Sequence, residues 1–263
     1  MIRLVISNQR GGVAKTTTTV NVARFFADQG RKVLIIDTDP QGSVGSVLGL
    51  RSEHNLHSFV IKKLAFRECL VAAHPNIDVM CSARDTVQTE AILMGETARE
   101  LTFQNLFPSV DRGYDVVLID VAPSISLLQT CAMLYARQLL IPVSMDGLSL
   151  QGAIASIETA RMLSDLFRTE IKTTALLPVM VDRRYQMTEM VMESLKGMSE
   201  RYTVPLLPAI RTDANVTKAS RQKQFLVDFD PKCKAFEDYS TACRELTELV
   251  KDQIHVKSVA TPA

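Results

Sequence analysis

The amino-acid sequence predicts an α/β fold: a doubly wound, mostly parallel sheet with helices on both faces. Short apolar runs rich in β-branched residues alternate with longer amphipathic segments along the 263 residues, which is the pattern of strands joined by helical crossovers. Residues 116–119 form a continuous apolar run, as expected for a strand that is covered on both faces. A hydrophobic fraction of 46% in a chain of this length provides for a sizeable core.

Each element is predicted from its own periodicity. Seven segments have the length and composition of strands, namely residues 4–6, 32–37, 77–81, 115–120, 138–142, 174–181 and 204–207. Seven others have helical periodicity, namely residues 15–29, 84–94, 98–107, 124–135, 150–167, 185–201 and 232–252. Because the sequence has no internal repeat and no Gly/Ser linker, residues 1–256 are interpreted as one domain. The small, polar residues 257–263 are interpreted as a short flexible tail.

Charge and composition exclude several classes of function. The formal net charge of +1 predicts no global attraction to nucleic acid or membrane, so such binding needs a local basic patch. No apolar run approaches the roughly 18 residues of a membrane span, and no basic leader precedes a long apolar segment, so a cytoplasmic protein is expected. Five cysteines without a C-x-x-C pair indicate reduced thiols. His54 and His57 are interpreted as parts of a solvated turn rather than as metal ligands.

A glycine-bearing loop between the first strand and the first helix has the layout of a phosphate-binding site. Residues 4–6 are apolar, Gly11 and Gly12 follow in the loop, and Lys15 and Thr16 open the helix. Backbone N–H groups and the positive end of a helix converge on anionic oxygens in this arrangement. The lysine reaches the terminal phosphates of a nucleotide and the hydroxyl binds Mg²⁺. The loop therefore predicts nucleotide binding.

Acidic residues follow two of the predicted strands. Asp37 and Asp39 end one strand, and Asp120 ends another. In a doubly wound sheet ligands bind at the carboxyl ends of the strands, so these carboxylates are expected beside the phosphate loop. There they suit water-mediated coordination of Mg²⁺ and orientation of an attacking water. The alternative is that the three aspartates only cap the helices that follow.

The three elements together resemble the ParA/MinD ATPases, which have a deviant Walker A loop, K-G-G-x-x-K-[ST]. Residues 10–16 read R-G-G-V-A-K-T, residues 37–42 read D-T-D-P-Q-G, and residues 119–124 read I-D-V-A-P-S. Residues 229–232, F-D-P-K, are similar to a segment before the last helix of that family. The resemblance covers nearly the whole chain and is strongest to the short, Soj-like ParA partition proteins.

The resemblance implies a mechanism. ATP binding closes a homodimer with nucleotides at the interface, the dimer binds DNA without sequence preference, and hydrolysis stimulated by a ParB-like or other adaptor protein resets it. Lys15 is implied to bind the β- and γ-phosphates, Thr16 to hold Mg²⁺, Asp39 to orient the hydrolytic water and, like Asp120, to support Mg²⁺ through water. The residues implied to bind the nucleotide are Gly11, Gly12, Val13, Ala14, Lys15, Thr16, Thr17 and Pro208.

The loop departs from the family pattern at two positions. Arg10 stands where the family has a lysine that reaches the phosphates of the partner subunit, and Ala14 adds a Cβ beside the phosphates. Arginine keeps the charge needed to stabilise the transition state in trans, but its planar fork differs from a compact ammonium. Ala14 costs on the order of 1 kcal/mol if its φ is positive. These departures predict that ATP binding is retained and that hydrolysis is slow.

DNA binding is predicted from a late basic region and from the resemblance. Phosphate neutralisation by a patch that dimerisation doubles supplies the physical basis, and no aromatic residues interleave for base stacking. The alternative is a solvated basic surface. The candidate DNA-binding residues are Arg183, Arg184, Arg211, Lys218 and Arg221. Because such a protein acts on chromosomal or plasmid DNA, the expected location is cytoplasmic and nucleoid-associated.

Two other functions remain as alternatives. MinD-like regulators use a basic amphipathic C-terminal helix to bind membranes, but residues 246–257 mix acids and bases along a narrow apolar stripe, which predicts a helix packed on the core. A metabolic enzyme of the dethiobiotin-synthetase type shares the fold but needs a polar pocket for a small substrate beside the γ-phosphate, and the sequence shows no additional acid–base set for one. One face of the helix at 185–201 carries Met187, Met190 and Met198. That face is predicted to pack in the core, with a partner surface as the alternative.

Overall fold

The computed structural model describes residues 1–255, with side chains described to residue 250. Seven strands form one sheet: β1 (Ile2–Ile6), β2 (Val33–Asp37), β3 (Val71–His74), β4 (Ile77–Met80), β5 (Val116–Asp120), β6 (Gln138–Ser144) and β7 (Lys172–Val179). Their order is β3-β4-β2-β5-β1-β6-β7. Every neighbouring pair is parallel except β3 and β4, which are antiparallel. The doubly wound, mostly parallel sheet that the sequence predicts is thus confirmed.

The helices that cover the sheet follow the strands in sequence. They are α1 (Lys15–Asp28), α2 (Ser43–Leu48), α3 (Leu56–Val60), α4 (Thr86–Leu93), α5 (Thr102–Leu106), α6 (Leu127–Ala136), α7 (Gly147–Phe167), α8 (Gln186–Tyr202), α9 (Ala214–Arg221), α10 (Leu226–Phe229) and α11 (Lys234–His255). The longer helices start at or near the predicted positions. The short helices α2, α3, α9 and α10 are absent from the sequence prediction because four to eight residues give too little periodicity to detect.

The sheet separates the hydrophobic core into two halves. Every residue of β2 and β5 is buried, and alternate residues of each strand point to opposite faces. Ile35 and Leu118 pack with α1 and α11 on one side, whereas Ile36 and Ile119 pack with α6 and α7 on the other. This two-sided burial explains why the strand sequences are continuously apolar.

Two predictions about strands are wrong. Residues 204–207 do not form a strand and contribute only an isolated bridge between Leu176 and Leu206, because Pro205 and Pro208 lack the N–H groups that a ladder needs. The strand β3 (Val71–His74) was not predicted, since it is a short edge strand with a single β-branched residue. Likewise, the helix expected at 98–107 is a 3₁₀ turn, Arg99–Leu101, followed by the short α5.

Other side chains also differ from expectation. His57 does not lie in a solvated turn: it is buried in α3, and its Nδ1 is 2.9 Å from Thr89 Oγ1. On α8, Met198 is buried as expected, but Met187 and Met190 are more than half exposed. Met187 and Met190, which lie near the start of α8, are therefore not part of the core face that the sequence predicts.

The last helix packs on the core within the part of it whose side chains are described. Leu246 and Val250 are both about 1% exposed and belong to the same half of the core as α1. Residues 251–257 of that segment, and the tail predicted at 257–263, lie outside that part. Among the described residues, no helix combines the length and apolar character needed to cross a membrane.

Candidate functional site

The loops after several parallel strands meet at the carboxyl edge of the sheet and enclose a cleft of about 500 Å³. The phosphate loop follows β1, which lies between β5 and β6 in the sheet. The cleft is lined by Gly11, Gly12, Ala14, Lys15, Thr16, Thr17, Asp39, Ser43, Pro123, Val179, Met180, Ile210, Arg211, Thr212, Asp213, Val216, Thr217 and Tyr239. The tertiary structure therefore brings most of the predicted nucleotide-binding residues, with Asp39, into one cavity.

The phosphate loop presents open backbone to the cleft. A Cβ placed on Gly11 or Gly12 would meet no atom within 4 Å, which leaves room for an anion against the main chain. Ala14 is the residue before α1, and no side chain caps that helix. The first N–H groups of α1 are thus left to bind an acceptor, and the helix dipole favours a negative one. This cradle fits the phosphates of a nucleotide.

Ala14 adopts a left-handed backbone conformation with φ of 57° and ψ of 30°. Because φ is positive, the predicted strain of on the order of 1 kcal/mol applies, since a Cβ is unfavourable in that region. Gly12, two residues earlier, also has a positive φ of 77°. The loop thus keeps a backbone suited to glycine at a position where the chain carries alanine.

The Lys15 side chain is folded onto the loop. Its Nζ donates hydrogen bonds to the carbonyl oxygens of Asn8, at 3.2 Å, and Arg10, at 2.9 Å. Lys15 is only 8% exposed, and burial lowers its pKa, although the carboxylates of Asp120 and Asp39 oppose that shift. The ammonium group is therefore held by carbonyl oxygens of the phosphate loop, at a residue that lines the cleft.

The carboxylate of Asp120 lies next to Thr16 at the phosphate loop. Its carboxylate accepts hydrogen bonds from Thr16 Oγ1 at 2.6 Å and from Thr19 Oγ1 at 3.2 Å. Burial raises the pKa of Asp120 to about 6, and the threonine hydrogen bonds and Lys15 limit the increase. A hydroxyl and a carboxylate at this spacing are hard oxygen donors of the kind that Mg²⁺ prefers. Residue positions 16 and 120 therefore fit the metal-binding roles predicted for them.

The other two aspartates have different roles. Asp37 is fully buried and accepts the backbone N–H groups of Asp39, at 3.0 Å, and Val44, at 3.1 Å. Burial, together with the nearby charge of Asp120, raises the pKa of Asp37 well above its usual value. Asp39, in contrast, is only partly buried and lines the cleft. The helix-capping alternative is therefore correct for Asp37, which supports the first turn of α2. Asp39 lines the cleft, and Asp120 contacts Thr16, which also lines it.

The loop that carries Asp39 is held by a tight contact. Gly42 has a φ of 61°, and a Cβ there would lie 2.6 Å from the carbonyl oxygen of Ser82. Only glycine fits such a position. The loop after β2 is thereby fixed against the loop after β4, which keeps Asp39 at the cleft.

Arg10 lies in the same loop but points away from these contacts. Its side chain is exposed, and among the described residues none forms a hydrogen bond or an ion pair with its guanidinium group. Only its backbone carbonyl is engaged, by Lys15. A strong hydrogen-bond donor thus stands at the edge of the site without an acceptor in the part of the chain that the structure describes.

The structure describes no preformed protein cage for a metal. Within the described residues, no group of three or more His, Cys, Asp or Glu side chains could hold an ion. This arrangement is compatible with Mg²⁺, which usually keeps several waters and binds one or two carboxylates together with substrate phosphates.

The basic residues predicted to bind DNA do not form one uniform patch. Arg184 makes a bidentate ion pair with Asp182, and Arg211 makes one with Asp238 at 2.6 and 2.7 Å. Arg183 is exposed beside the first of these pairs. Lys218 and Arg221 are exposed on the last turns of α9, and Arg211 also lines the cleft.

The residues at the end of the cleft predicted to bind the nucleobase differ from those that the sequence predicts. Pro208 does not line it, whereas residues 210–213 do. Tyr239 of α11 also lines the cleft, and its hydroxyl is 3.2 Å from Thr18 Oγ1. The sequence offers no signal for Tyr239, because a tyrosine in a distant amphipathic helix looks like any other core residue.

A larger cavity of about 960 Å³ lies at the opposite edge of the sheet. It is bordered by Arg3, Tyr135, Arg137 and Lys172 and by Val250, the last residue whose side chain is described. It contains neither a glycine loop nor a strand-end carboxylate. The smaller cleft is therefore the candidate functional site, since the chemistry of a phosphate site is found there.

The fold and the site define a P-loop protein whose phosphate loop carries two adjacent glycines and a basic residue before them. The AAA_31 family, described as an AAA domain, matches residues 1–173. This chain belongs to that family and to the ParA/MinD-type P-loop ATPases within it.

Relatives and solved structures agree with this assignment. The chain is 27% identical to the chromosome partitioning protein ParA of Myxococcus xanthus, covering 92% of this chain and 87% of that protein. It is 26% identical to the sporulation initiation inhibitor protein Soj of Bacillus subtilis, covering 92% and 97%. Apo McdA of Cyanothece has a similar fold, with a TM-score of 0.84, 20% identity and coverage of 94% and 99%.

A fold of this type is also found in a metabolic enzyme. The cobyrinic acid a,c-diamide synthase of Mycobacterium smegmatis with bound ADP and magnesium matches with a TM-score of 0.80 and 24% identity, covering 100% of this chain and 99% of that one. At this identity the likeness concerns the fold alone. The function of this chain must therefore be argued from its own site.

Proposed function

We propose that this protein is an ATP-driven switch of the ParA type. ATP and Mg²⁺ close a homodimer, the dimer binds DNA without sequence preference, and slow hydrolysis stimulated by a ParB-like or other adaptor protein resets it. The cargo is a plasmid, a chromosome or another assembly. The names of the relatives, chromosome partitioning ParA and Soj, support this class of process.

Arg10 is the observation that carries the proposal of a dimer. Its guanidinium is exposed and has no partner among the described residues, although Arg10 lies in the phosphate loop that follows β1. An arginine that acted within its own subunit would be expected to contact its own phosphate loop. A second copy across the cleft supplies the missing acceptor, because the γ-phosphate of the partner's ATP would lie opposite Arg10.

Exposed apolar residues lie at the same edge of the sheet as Arg10. Ile125, Leu148 and Met180 are 68%, 53% and 40% exposed, and each follows the carboxyl end of β5, β6 or β7. These strands and β1 are adjacent in the sheet, so the side chains share one edge with the phosphate loop. Apolar side chains gathered at one edge are typical of a surface that becomes buried in a complex, and a second copy of the chain is the occupant that also satisfies Arg10.

Within each subunit the described residues have separable tasks. Lys15 and the loop N–H groups bind the phosphates, Thr16 and Asp120 hold Mg²⁺ and its waters, and Asp39 orients the attacking water. Mg²⁺ supplies charge neutralisation on the β- and γ-phosphates when bound. Arg10, acting in trans, stabilises the charge that develops on the transferred phosphoryl group.

DNA binding is assigned to the exposed basic residues. Lys218 and Arg221 are exposed on α9, and Arg183 is exposed after β7. Three phosphate contacts in one subunit would bind weakly at physiological salt, whereas a dimer presents twice as many. ATP-dependent dimerisation would therefore make DNA binding ATP-dependent as well.

The test combines three measurements on the wild type, Lys15→Ala, Arg10→Ala and Arg221→Ala. Light scattering reports dimerisation with ATP and Mg²⁺, co-sedimentation reports DNA binding, and phosphate release reports hydrolysis. We expect the wild type to dimerise and bind DNA only with ATP, Lys15→Ala to do neither, and Arg221→Ala to dimerise but bind DNA weakly.

DNA binding that ignores both ATP and Lys15→Ala would refute the switch. Flotation with anionic liposomes in the presence of ATP, without DNA binding, would favour a membrane-surface regulator instead. ATP consumption that depends on an added small carboxylic acid, by a protein that stays monomeric, would favour a metabolic enzyme.

A further inference from the structure

The residue before Arg10 is anchored to the middle of α7. Gln9 Nε2 donates hydrogen bonds to Thr159 Oγ1 at 2.8 Å and to the carbonyl oxygen of Ala155 at 3.3 Å. The backbone N–H of Gln9 is shared between Ser156 Oγ at 3.2 Å and the carbonyl oxygen of Gly152 at 3.3 Å. Both the side chain and the main chain of Gln9 are thus held by consecutive turns of one helix.

Gly152 allows α7 to approach the loop this closely. A Cβ at that position would collide with Asn8 Oδ1 and would lie 3.0 Å from both the backbone nitrogen and the Cβ of Arg10. The helix surface therefore contacts the first atoms of the Arg10 side chain. The direction in which this side chain leaves the loop is set by α7.

On its other side, the backbone of Arg10 is held by α1. Its carbonyl oxygen accepts the hydrogen bond from Lys15 Nζ at 2.9 Å, and Lys15 is the first residue of α1. The main chain of Arg10 is consequently fixed between two helices, although its guanidinium has no partner among the described residues. This combination is expected when the function of a side chain requires a defined starting point and an acceptor outside the chain.

We propose that Gln9 and Thr159 are positioning residues that aim Arg10 across the dimer interface for ATP hydrolysis. This inference rests on the proposed trans-acting role of Arg10. A displacement of about 1 Å in a group that stabilises a transition state can cost up to about 100-fold in rate. The Gln9–Thr159 hydrogen bond matters for catalysis because it limits such displacement, not because either residue touches ATP.

A purely structural role can be separated from positioning, because the loop has a second set of anchors. Asn8 Nδ2 donates to the carbonyl oxygens of Pro142 at 2.8 Å and Ser149 at 3.1 Å. These bonds do not involve Thr159. Removing the Thr159 hydroxyl should therefore loosen the Arg10 end of the loop while the loop itself stays attached.

The primary variant is Thr159→Val, which removes the acceptor hydroxyl and preserves the shape of the side chain. Thr159→Ser keeps a hydroxyl and is the conservative rescue. Thr247→Val is the matched control. Thr247, like Thr159, is a partly buried threonine in a helix, and its hydroxyl donates a hydrogen bond to the carbonyl oxygen of Cys243 within α11. Each is measured for binding of a fluorescent ATP analogue with Mg²⁺, for ATP-dependent dimerisation, for thermal unfolding and for single-turnover hydrolysis.

We expect Thr159→Val to lower the hydrolysis rate by about tenfold, within the range expected for a misplaced group, while nucleotide affinity and dimerisation change less than about twofold. Thr159→Ser and Thr247→Val should hydrolyse ATP at nearly the wild-type rate. In an Arg10→Ala background, Thr159→Val should cause no further loss, because the group that it positions is absent.

Two results would overturn this inference and leave the proposed function intact. One is a Thr159→Val rate equal to that of the wild type while Arg10→Ala is impaired. The other is an equal loss in the Arg10 and Arg10→Ala backgrounds, which would mean that Thr159 acts on another part of the site. If Arg10→Ala hydrolyses ATP as fast as the wild type, both the trans-acting role and the positioning of Arg10 are wrong, and the binding and dimerisation data then decide what remains of the switch.

Discussion

The two halves of the phosphate loop are built differently. The half that contains Lys15 and Thr16 merges into α1, is buried and makes contacts with Asn8, Arg10 and Asp120. The half that contains Gln9 and Arg10 is fixed to α7 through its backbone, but the Arg10 side chain projects into solvent. One half makes its contacts within the chain, whereas the other half ends in a cation that has no partner among the described residues.

This difference predicts that nucleotide binding and ATP hydrolysis depend on different halves of the loop. The buried half has the donors, the ammonium group and the carboxylate that a nucleotide with Mg²⁺ requires, so binding should need only one subunit. The exposed half contributes a charge without a partner among the described residues, so under the proposed function efficient hydrolysis should need two subunits. Substitutions at Arg10 and at Lys15 should therefore affect different steps.

Arg10→Ala should lower the rate of ATP hydrolysis by about 10³-fold, the lower range for a trans-acting arginine, with little change in nucleotide affinity. The reason is that only the transition state, and not the bound ATP, gains from the second subunit's cation. Single-turnover phosphate release and binding of a fluorescent ATP analogue measure the two quantities. Arg161→Ala, at an exposed position on α7, is the control, and a parallel loss of affinity in Arg10→Ala would contradict the separation.

Lys15→Ala should weaken ATP binding by at least about 100-fold, because a buried charge-assisted interaction worth about 3 kcal/mol is removed. Titration of the fluorescent analogue measures the dissociation constant. Lys196→Ala, a change of an exposed lysine on α8, should bind ATP normally. If Lys15→Ala retained wild-type affinity, the cleft would not be the nucleotide site.

In the absence of nucleotide, Asp120→Asn should raise the free energy of unfolding by about 2 kcal/mol at pH 7. This figure is a shift of about two pKa units, converted at about 1.36 kcal/mol per unit and reduced for the hydrogen bonds that the variant loses. The pKa of Asp120 is raised to about 6 in the folded state, so the folded state binds more protons than the unfolded state between about pH 4 and pH 6. Stability contributed by this group is therefore present at low pH and is lost as the pH rises through 6.

Urea unfolding of the wild type and Asp120→Asn from pH 4 to pH 7.5 measures this effect. The advantage of the variant should grow with pH over that interval, whereas Asp165→Asn, at an exposed position on α7, should show none. A variant that is less stable than the wild type at pH 7 would mean that the Thr16 and Thr19 hydrogen bonds outweigh the burial of the charge.

The smallest expected effects come from Arg10 and Ala14, the two positions at which the phosphate loop departs from the family pattern. Ala14→Gly should stabilise the fold by about 1 kcal/mol, because it relieves the positive φ of 57°, whereas Ala23→Gly inside α1 should destabilise it by about the same amount. Thermal unfolding measures both changes. Steady-state turnover of the double variant Arg10→Lys/Ala14→Gly should exceed that of the wild type; equal rates would refute the prediction that these departures slow hydrolysis.

Much of the site was predictable because its chemistry is local in sequence. The loop glycines, Lys15 and Thr16 lie within one stretch of six residues, and the aspartates stand at or just after strand ends, where parallel strands bring them together. What escaped prediction depends on contacts between distant segments. Tyr239 reaches the cleft from α11, and the ion pair of Arg211 with Asp238 joins residues that no local pattern connects.

The sequence by itself determined the parallel sheet, the position of the phosphate loop and the presence of acidic strand ends, because periodicity and short motifs express local backbone requirements. Only the tertiary structure decided which carboxylate has which role: Asp37 is buried under α2, whereas Asp120 meets Thr16. It also decided that Ala14 is left-handed and that Gln9 is held by Thr159 across 150 residues of chain. Burial, strain and long-range hydrogen bonds are properties of packed elements, and for that reason they cannot be deduced from neighbours along the chain.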